Sequence, residues 1–261
     1  EALAKAQSQG QEVGEGGGGA FAIDVIIWNL AEATFQDCHS IADKQIGFVG
    51  GGGGLLLVGW LNVSGSVAFE NCTALKLGGG GIAGNATVRN YAKVTFTDCH
   101  SFMGGGFYFL GMFVHSGSST FTRCRAGSFG GGFYIEDGNL TLENVSFSHC
   151  SAAQVGGAAY AKYVQGISLA GEIRFDSCHS LGGIGSGLAV EEPSRTQVTV
   201  ESNVRFSFIG MCGSEGEGET LMWANFGQDS NFSAQLFGAS GHTLTLATSS
   251  YPFQTQAGSD P

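Results

Sequence analysis

Short apolar segments alternate with glycine-rich and polar turns along most of the chain, and the same order of segments recurs many times. Each unit contains a run of glycines, an apolar segment, a turn, a second apolar segment and then Phe-x-x-Cys. The Phe/Cys pairs are Phe35/Cys38, Phe69/Cys72, Phe96/Cys99, Phe121/Cys124, Phe147/Cys150 and Phe175/Cys178, with a longer form at Phe208/Cys212. Successive cysteines are 34, 27, 25, 26, 28 and 34 residues apart. A period of this size indicates a repeat architecture.

The apolar segments have the composition of β-strands. They are rich in Val, Ile, Phe and Thr and are bounded by Gly, Asn and Asp, as in Phe133-Tyr134-Ile135 followed by the turn Glu136 to Asn139. In the third unit, Gly84-Asn85 is predicted to be such a turn. A unit of this length holds two or three short strands, which fits one coil of a parallel β-helix. We therefore predict an all-β fold, a single-stranded parallel β-helix of about eight coils.

This fold places equivalent residues of successive units above one another. Phe35, Phe69, Phe96, Phe121, Phe147 and Phe175 are predicted to stack in one internal column, and the cysteines in another. The glycine runs are predicted at a bend where a positive φ, or the close approach of two coils, excludes a Cβ. Helical repeats fit poorly because glycine destabilises a helix by about 1 kcal/mol per residue. A β-propeller blade needs about 40 residues, more than one unit provides.

The repeat resembles that of the chlamydial polymorphic outer membrane proteins, which alternate Gly-Gly-Ala-Ile-like and Phe-x-x-Asn motifs. Gly79-Gly80-Gly81-Ile82 and Gly156-Gly157-Ala158-Ala159 are similar to the first motif, and Phe69-Glu70-Asn71-Cys72 to the second, with Cys in place of Asn. The resemblance covers about residues 16–212. It implies a right-handed β-helix that is exposed at a cell surface and acts in adhesion.

Three segments are expected in the chain. Residues 16–212 carry the repeats. Residues 1–15 form either an N-terminal cap or the remnant of a preceding coil. In the second case the chain is a processed piece of a longer solenoid. Residues 213–261 lack the repeat pattern and are predicted to cap the last coil or to fold back along the rod.

Composition excludes several classes of partner. Charged residues make up 13% of the chain, hydrophobic residues make up 43%, and the net charge is −11, so a disordered chain is excluded. No cluster of Lys and Arg is present, which argues against nucleic acid as a partner. The weakly charged stretch Ile46 to Phe69 contains too much glycine for a transmembrane helix, so the chain is predicted not to span a membrane.

The asparagines indicate a secretory protein. Six of the ten begin an Asn-x-Ser/Thr sequon: Asn62, Asn71, Asn85, Asn139, Asn144 and Asn231. Such sequons in turns are typical of N-glycosylated proteins. We expect glycans on at least two of them, with Asn85 and Asn139 favoured because each follows a glycine, and Asn71 least favoured because Cys72 beside it should point inward. The predicted location is extracellular or at the cell surface.

Seven cysteines cannot all pair within the chain. Neighbouring rungs bring Cα atoms within disulfide range, but parallel Cβ vectors aim the sulfurs poorly at each other. We predict that most of Cys38, Cys72, Cys99, Cys124, Cys150, Cys178 and Cys212 are reduced, buried thiols. Disulfides between rungs are the alternative.

Neither a catalytic site nor a metal or cofactor site is predicted. The aspartates are scattered, and Asp37 and Asp98 share a repeat position but lie two coils apart. His39 and His100 follow ladder cysteines, yet a coil carrying Thr73 separates them by about 10 Å, too far for one zinc ion.

The segments after the glycine runs are apolar at alternate positions on both faces, as in Leu55 to Val58 and Phe107 to Leu110. One set should fill the core and the other should face outward as an apolar stripe. The stripe includes Ile27, Trp28, Leu56, Val58, Tyr108 and Leu110. We expect a partner chain, a second copy or residues 213–261 to cover it. The sequence therefore predicts a non-catalytic structural subunit of an extracellular filament, coat or adhesive appendage. A carbohydrate-binding or polysaccharide-cleaving β-helix is the alternative.

Overall fold

A computed structural model describes residues 20–40, 52–75, 80–90, 92–182, 185–191, 197–200, 205–209, 222–224, 244–248 and 251–255. Within these ranges the chain is all-β and contains no helix. The strands are β1 (Ala20–Gln36), β2 (His39–Ser40), β3 (Leu55–Glu70), β4 (Thr73–Ala74), β5 (Ile82–Asn90), β6 (Lys93–Thr97), β7 (His100–Met103), β8 (Phe107–His115), β9 (Ser118–Thr122), β10 (Arg125–Phe129), β11 (Phe133–Glu136), β12 (Asn139–Ser148), β13 (Ser151–Ala152), β14 (Ala159–Lys162), β15 (Gly166–Asp176), β16 (His179–Ser180), β17 (Leu188–Glu191), β18 (Gln197–Val200), β19 (Arg205–Ile209), β20 (Met222–Ala224), β21 (Leu244–Thr248) and β22 (Tyr251–Thr255).

The strands stack in parallel as a β-solenoid. A 14-stranded sheet has the order β18-β15-β12-β9-β6-β3-β5-β8-β11-β14-β17-β20, with β1 on β3 and β19 on β15. The long strand β3 joins two faces of the solenoid, because its first part pairs with β5 and its last part with β6. The third face is a six-stranded sheet in the order β16-β13-β10-β7-β4-β2, formed by the strands that follow the cysteines. Strands β21 and β22 form an antiparallel pair.

The predicted phenylalanine column is confirmed. From Phe35 to Phe175 the six rings stack at centroid distances of 4.7, 5.0, 4.8, 4.9 and 5.4 Å, with 4–12° between neighbouring planes. All six rings are buried. A second column, in which Phe107 stacks on Phe133 at 4.8 Å, packs against the first from the opposite face. The two columns fill the interior with apolar surface that would otherwise be hydrated.

The glycine runs form the predicted bend. Gly104 has a φ of 64°, a conformation that residues with a Cβ rarely adopt. At Gly105 a Cβ would overlap the carbonyl oxygen of Gly131 in the next coil and the backbone of Arg125. The Gly105 N–H donates to the carbonyl of Gly130 at 3.1 Å, so the runs also pair with one another through their backbones. Close approach between coils therefore requires glycine here.

One sequence prediction needs correction. Gly84-Asn85 is not a turn, because β5 runs through both residues and pairs with β3 on one side and β8 on the other. Strand β20, which belongs to the predicted segment 213–261, pairs in parallel with β17. The predicted N-terminal segment 1–15 lies outside the described residues.

Candidate functional site: the cysteine ladder and the outer faces

The ladder cysteines enter the core directly after a sharp corner of each coil. The residue before each cysteine has a φ between 51° and 56°, which turns the chain from the second face to the third. These corner residues are Asp37, Asn71, Asp98, Arg123, His149 and Ser177. After the corner, the Cys72, Cys99, Cys124, Cys150 and Cys178 side chains are fully buried, whereas Cys38 is partly exposed. Cys212 lies outside the described residues.

Four of the ladder thiols make the same pair of contacts. The Cys99 thiol donates to the carbonyl oxygen of Phe69 in the preceding coil, at 3.6 Å, and to that of Thr97, two residues before it, at 3.5 Å. Cys72, Cys124 and Cys150 repeat this pair of contacts at 3.4–3.7 Å. These four thiols therefore share one orientation, and none of the six described cysteines forms a disulfide.

Burial in the apolar core raises the pKa of the Cys124 and Cys150 thiols well above its usual range. The neighbouring ladder thiols are a further influence on both pKa values. A protonated thiol is a poor nucleophile, so these cysteines pack as small apolar side chains in the resting protein.

The exposed corner column carries the aspartates that the sequence placed at one repeat position. Asn71 lies between them and donates from Nδ2 to Asp37 Oδ1 at 2.7 Å. Arg123 binds both carboxylate oxygens of Asp98, at 2.7 and 2.6 Å. The hydrogen bonds from Arg123 are the main cause that lowers the pKa of Asp98. The two carboxylates thus have separate partners and do not form an acid/base pair.

The histidines beside the ladder point away from it. His39, His149 and His179 are exposed and His100 is half-buried. Burial is the main cause that lowers the pKa of His100, and the positive charge of the nearby Arg125 lowers it further. Thr73 lies between His39 and His100 in the six-stranded sheet. In the described part of the chain, no three His, Cys, Asp or Glu side chains converge as metal ligands.

The predicted apolar stripe divides into covered and partly exposed positions. Leu56 and Tyr108 are buried in a second apolar cluster with Tyr134 and Tyr160, against which Met103, Leu110, Phe129 and Val155 pack. Phe129, for example, stacks on Tyr160 at 5.0 Å. Segments next to the glycine runs therefore pack against Leu56 and Tyr108. Coverage of the stripe by a partner chain or by residues 213–261 stays a prediction.

The remaining positions of the stripe are less covered. Val58 and Leu110 are partly exposed on the outer face. The side chains of Ile27 and Trp28 lie outside the described set.

A different row of exposed apolar side chains was missed by the sequence analysis. Leu75, Phe102 and Leu181 are 63%, 44% and 76% exposed, and each lies three residues after a ladder cysteine. Phe102 belongs to β7, and Leu75 and Leu181 directly follow β4 and β16. Gly127 and Ala153 occupy the same offset in the two coils between Phe102 and Leu181. The Phe102 ring lies over Gly127, since a Cβ on that glycine would be 3.3 Å from the ring. The recurrence of apolar residues at this offset from cysteine was the available signal.

Trp60 is exposed on the outer face of β3, where it is 44% accessible. The Arg89 guanidinium of the neighbouring strand lies over its ring at 5.3 Å from the centroid. Thr87 is the direct cross-strand neighbour of Trp60. On the β5 side the exposed ring therefore has the polar neighbours Arg89 and Thr87, whereas its register partner in β1 is Ile26.

The sequons differ in accessibility. Asn71 and Asn144 are exposed and adopt left-handed backbone conformations, with φ of 51° and 54°. The Asn144 side-chain oxygen accepts a hydrogen bond from the Glu172 N–H at 3.2 Å. Asn71, the least favoured sequon on sequence grounds, is thus more accessible than Asn62 or Asn139.

Asn139 is partly buried at the start of β12. Asn62 is also partly buried, and its side-chain oxygen is enclosed without a hydrogen-bond partner. Asn85 lies within β5, and Asn231 lies outside the described residues.

No helix in the described ranges is long and apolar enough to cross a membrane. In comparisons with protein-family models, with curated proteins and with solved structures, no match to this chain was found.

Proposed function

We propose that this protein is a non-catalytic β-helix that serves as a structural subunit of an extracellular filament, coat or adhesive appendage. The observation that carries the proposal is the exposed apolar row formed by Leu75, Phe102 and Leu181 along one sheet of the solenoid. Aligned apolar side chains on a regular surface favour contact with another protein or with a second copy of the chain. The interior of each coil is filled by side-chain ladders, which makes the rod a rigid support for such a surface.

The proposal includes a right-handed coil and about eight coils in total. Its support is the similarity of the repeat to that of the chlamydial polymorphic outer membrane proteins, together with β1 and β20, which add strands at the two ends of the described sheet. By the same similarity, the protein would be displayed at a cell surface.

An extracellular location with N-linked glycans belongs to the same proposal. Its support is the exposure of Asn71 and Asn144, both in sequons, on corners of the solenoid. A glycan attached there would extend into solvent and would leave the row at Leu75, Phe102 and Leu181 open to a protein partner.

A second function, carbohydrate binding, is favoured by the exposed Trp60 with Arg89 over its ring. Sugar rings stack on exposed aromatic faces, and Thr87 beside it supplies a hydroxyl. Under this alternative the sheet surface around Trp60, and not the row after the cysteines, would contact the ligand.

Sedimentation velocity over a range of protein concentrations tests the first function. The wild-type protein should associate, and the triple variant Leu75→Ser, Phe102→Ser, Leu181→Ser should remain monomeric at the same concentrations. Trp60→Ser is the matched control, because it removes an equally exposed aromatic residue from another face and should associate like wild type. A wild-type protein that stays monomeric throughout, or a triple variant that associates unchanged, would overturn the proposal.

A further inference from the structure

The sulfur atoms of neighbouring ladder cysteines are separated by about the distance between two adjacent strands of a sheet. Cys72, Cys99, Cys124 and Cys150 each contact the phenylalanine carbonyl of the preceding coil and the carbonyl two residues before them, so their side chains are related by translation from one coil to the next. Adjacent strands in a sheet lie about 4.8 Å apart. The stacked rings beside the ladder, at 4.7–5.4 Å, show the same spacing. Neighbouring sulfurs are therefore separated by about this distance.

This separation does not suit a disulfide. A disulfide requires the two sulfurs to approach to about 2.05 Å, with Cβ atoms about 3.8 Å apart. Backbone hydrogen bonds hold each coil to its neighbours on both sides of the cysteine. Before Cys124, the Arg123 N–H donates to the Ser148 carbonyl at 2.8 Å, and after it the Arg125 N–H donates to the Cys99 carbonyl at 2.9 Å. The sheet therefore opposes the closer approach.

The same separation suits a metal ion between two sulfurs. A metal–thiolate bond is about 2.3 Å long, so two such bonds in line span about 4.6 Å. Soft thiolate ligands favour Cu(I), Zn²⁺ and iron–sulfur clusters. Structural zinc and the clusters are held by four protein ligands, so monovalent copper is the one of these that suits two sulfurs. Ions of this class, with a filled d shell, accept two ligands in a line and do not need the third or fourth ligand that is missing here.

We propose that the cysteine ladder binds soft monovalent d¹⁰ cations, Cu(I) or Ag(I), each between the sulfurs of two successive coils. A thiolate sulfur cannot bind two cations in opposite directions along the ladder, so each cysteine takes part in one site and neighbouring gaps are not filled together. Each ion enters by replacing a thiol proton, RSH + M⁺ → RS–M + H⁺, and the sulfur of the next coil supplies the second bond. No oxidation occurs. Because one proton leaves for each cation, the buried column gains no net charge. A net charge would be strongly disfavoured in the apolar core.

Loading begins at one end of the ladder. Cys38 is the one described ladder cysteine that is partly exposed, whereas the other five are sealed in the core. Six stacked cysteines from Cys38 to Cys178 form three neighbouring pairs and hold three ions. Replacement of Cys72 and Cys124 leaves one neighbouring pair, whereas replacement of Cys38 and Cys72 leaves four consecutive cysteines, which form two pairs.

Silver titration of the native, reduced protein tests this difference. Native mass spectrometry would count bound Ag(I) in chloride-free buffer with excess free histidine, which removes ions held by surface imidazoles, and a pH indicator would count released protons. Wild type should bind three ions, the double variant Cys38→Ser, Cys72→Ser two, and the double variant Cys72→Ser, Cys124→Ser one, with one proton released per ion. Circular dichroism checks that each variant is folded. If the serine variants do not fold, alanine at the same positions leaves the same neighbouring pairs and reports the same difference.

Binding at separate single thiols would instead remove two ions in both double variants. That result, or a native reduced protein that binds no silver, would overturn the proposal. Neither outcome bears on the proposed association through the row at Leu75, Phe102 and Leu181, so the two proposals fail separately.

Discussion

The ring of Phe121 lies 4.8 Å from the ring of Phe96 in the preceding coil, with 4° between their planes. The same ring stacks at 4.9 Å on Phe147 in the following coil. Phe121 is thus enclosed on both faces by equivalent residues, and its removal would open a cavity in the middle of the column.

Phe121→Ala should lower the free energy of unfolding by about 3–5 kcal/mol, as for other buried aromatic residues. Urea denaturation followed by intrinsic fluorescence measures the change. Phe102→Ala is the matched control, because Phe102 is 44% exposed and its loss should change stability by about 0.5 kcal/mol or less. Equal effects of the two substitutions would contradict the internal column.

Gly105→Ala should destabilise the protein by about 3 kcal/mol or more, since its Cβ would overlap the backbone of Gly131 and Arg125 and force two coils apart. Gly127→Ala is the comparison, because its Cβ would meet the movable ring of Phe102 at 3.3 Å. Thermal unfolding of both variants should show a large decrease in Tm for the first and little change for the second. Similar melting temperatures would show that the coils do not approach closely at Gly105.

Most ladder thiols should be reduced and should resist alkylation in the native state. Iodoacetamide should modify Cys38 first, because it is the partly exposed member, and should reach Cys124 and Cys150 only in denaturant. Intact mass before and after denaturation counts the adducts. Three disulfides in the denatured, unreduced protein would exclude a thiol ladder and would also leave no site for soft cations.

Asp98→Asn should reduce stability near neutral pH and have no effect in strong acid. Arg123 lowers the pKa of the folded Asp98 below its unfolded value of about 3.9, so the ion pair stabilises the protein above that pH and its contribution is lost as the pH falls through the folded pKa. The effect should be small because both side chains are substantially exposed. Urea midpoints of wild type, Asp98→Asn and Arg123→Gln across this pH range measure it. The two variants should behave alike, and a difference from wild type that persists in strong acid would exclude the ion pair as its cause.

At least two of the six sequons should carry a glycan when the protein is made in a eukaryotic secretory pathway. Glycans are favoured on Asn71 and Asn144 because these residues are exposed. A glycan is disfavoured on Asn62 because its side-chain oxygen is buried. Intact mass before and after enzymatic deglycosylation gives the number, and single Asn→Gln variants assign the sites. A mass equal to that of the bare polypeptide would remove this support for secretion.

The sequence by itself determined the solenoid and its internal columns. In stacked repeats, equivalent positions must lie above one another, so the spacing of Phe96 and Phe121 along the chain was enough to predict that their rings touch. The glycine runs predicted the bend for the same reason, because a Cβ at Gly105 has no space in any close stack of coils. These features depend on the order of residues within one repeat.

Only the tertiary structure decided which outer positions of each coil are covered by other segments. The path of the segment that leads from the cysteine strand to the glycine run places Phe129 over Tyr160, and no periodicity specifies that path. Gly84 and Asn85 have the local character of a turn, yet β3 and β8 supply backbone partners on both sides and keep them in a strand. Local preferences give way where two neighbouring strands offer hydrogen bonds, and only the assembled sheet reveals where those strands lie.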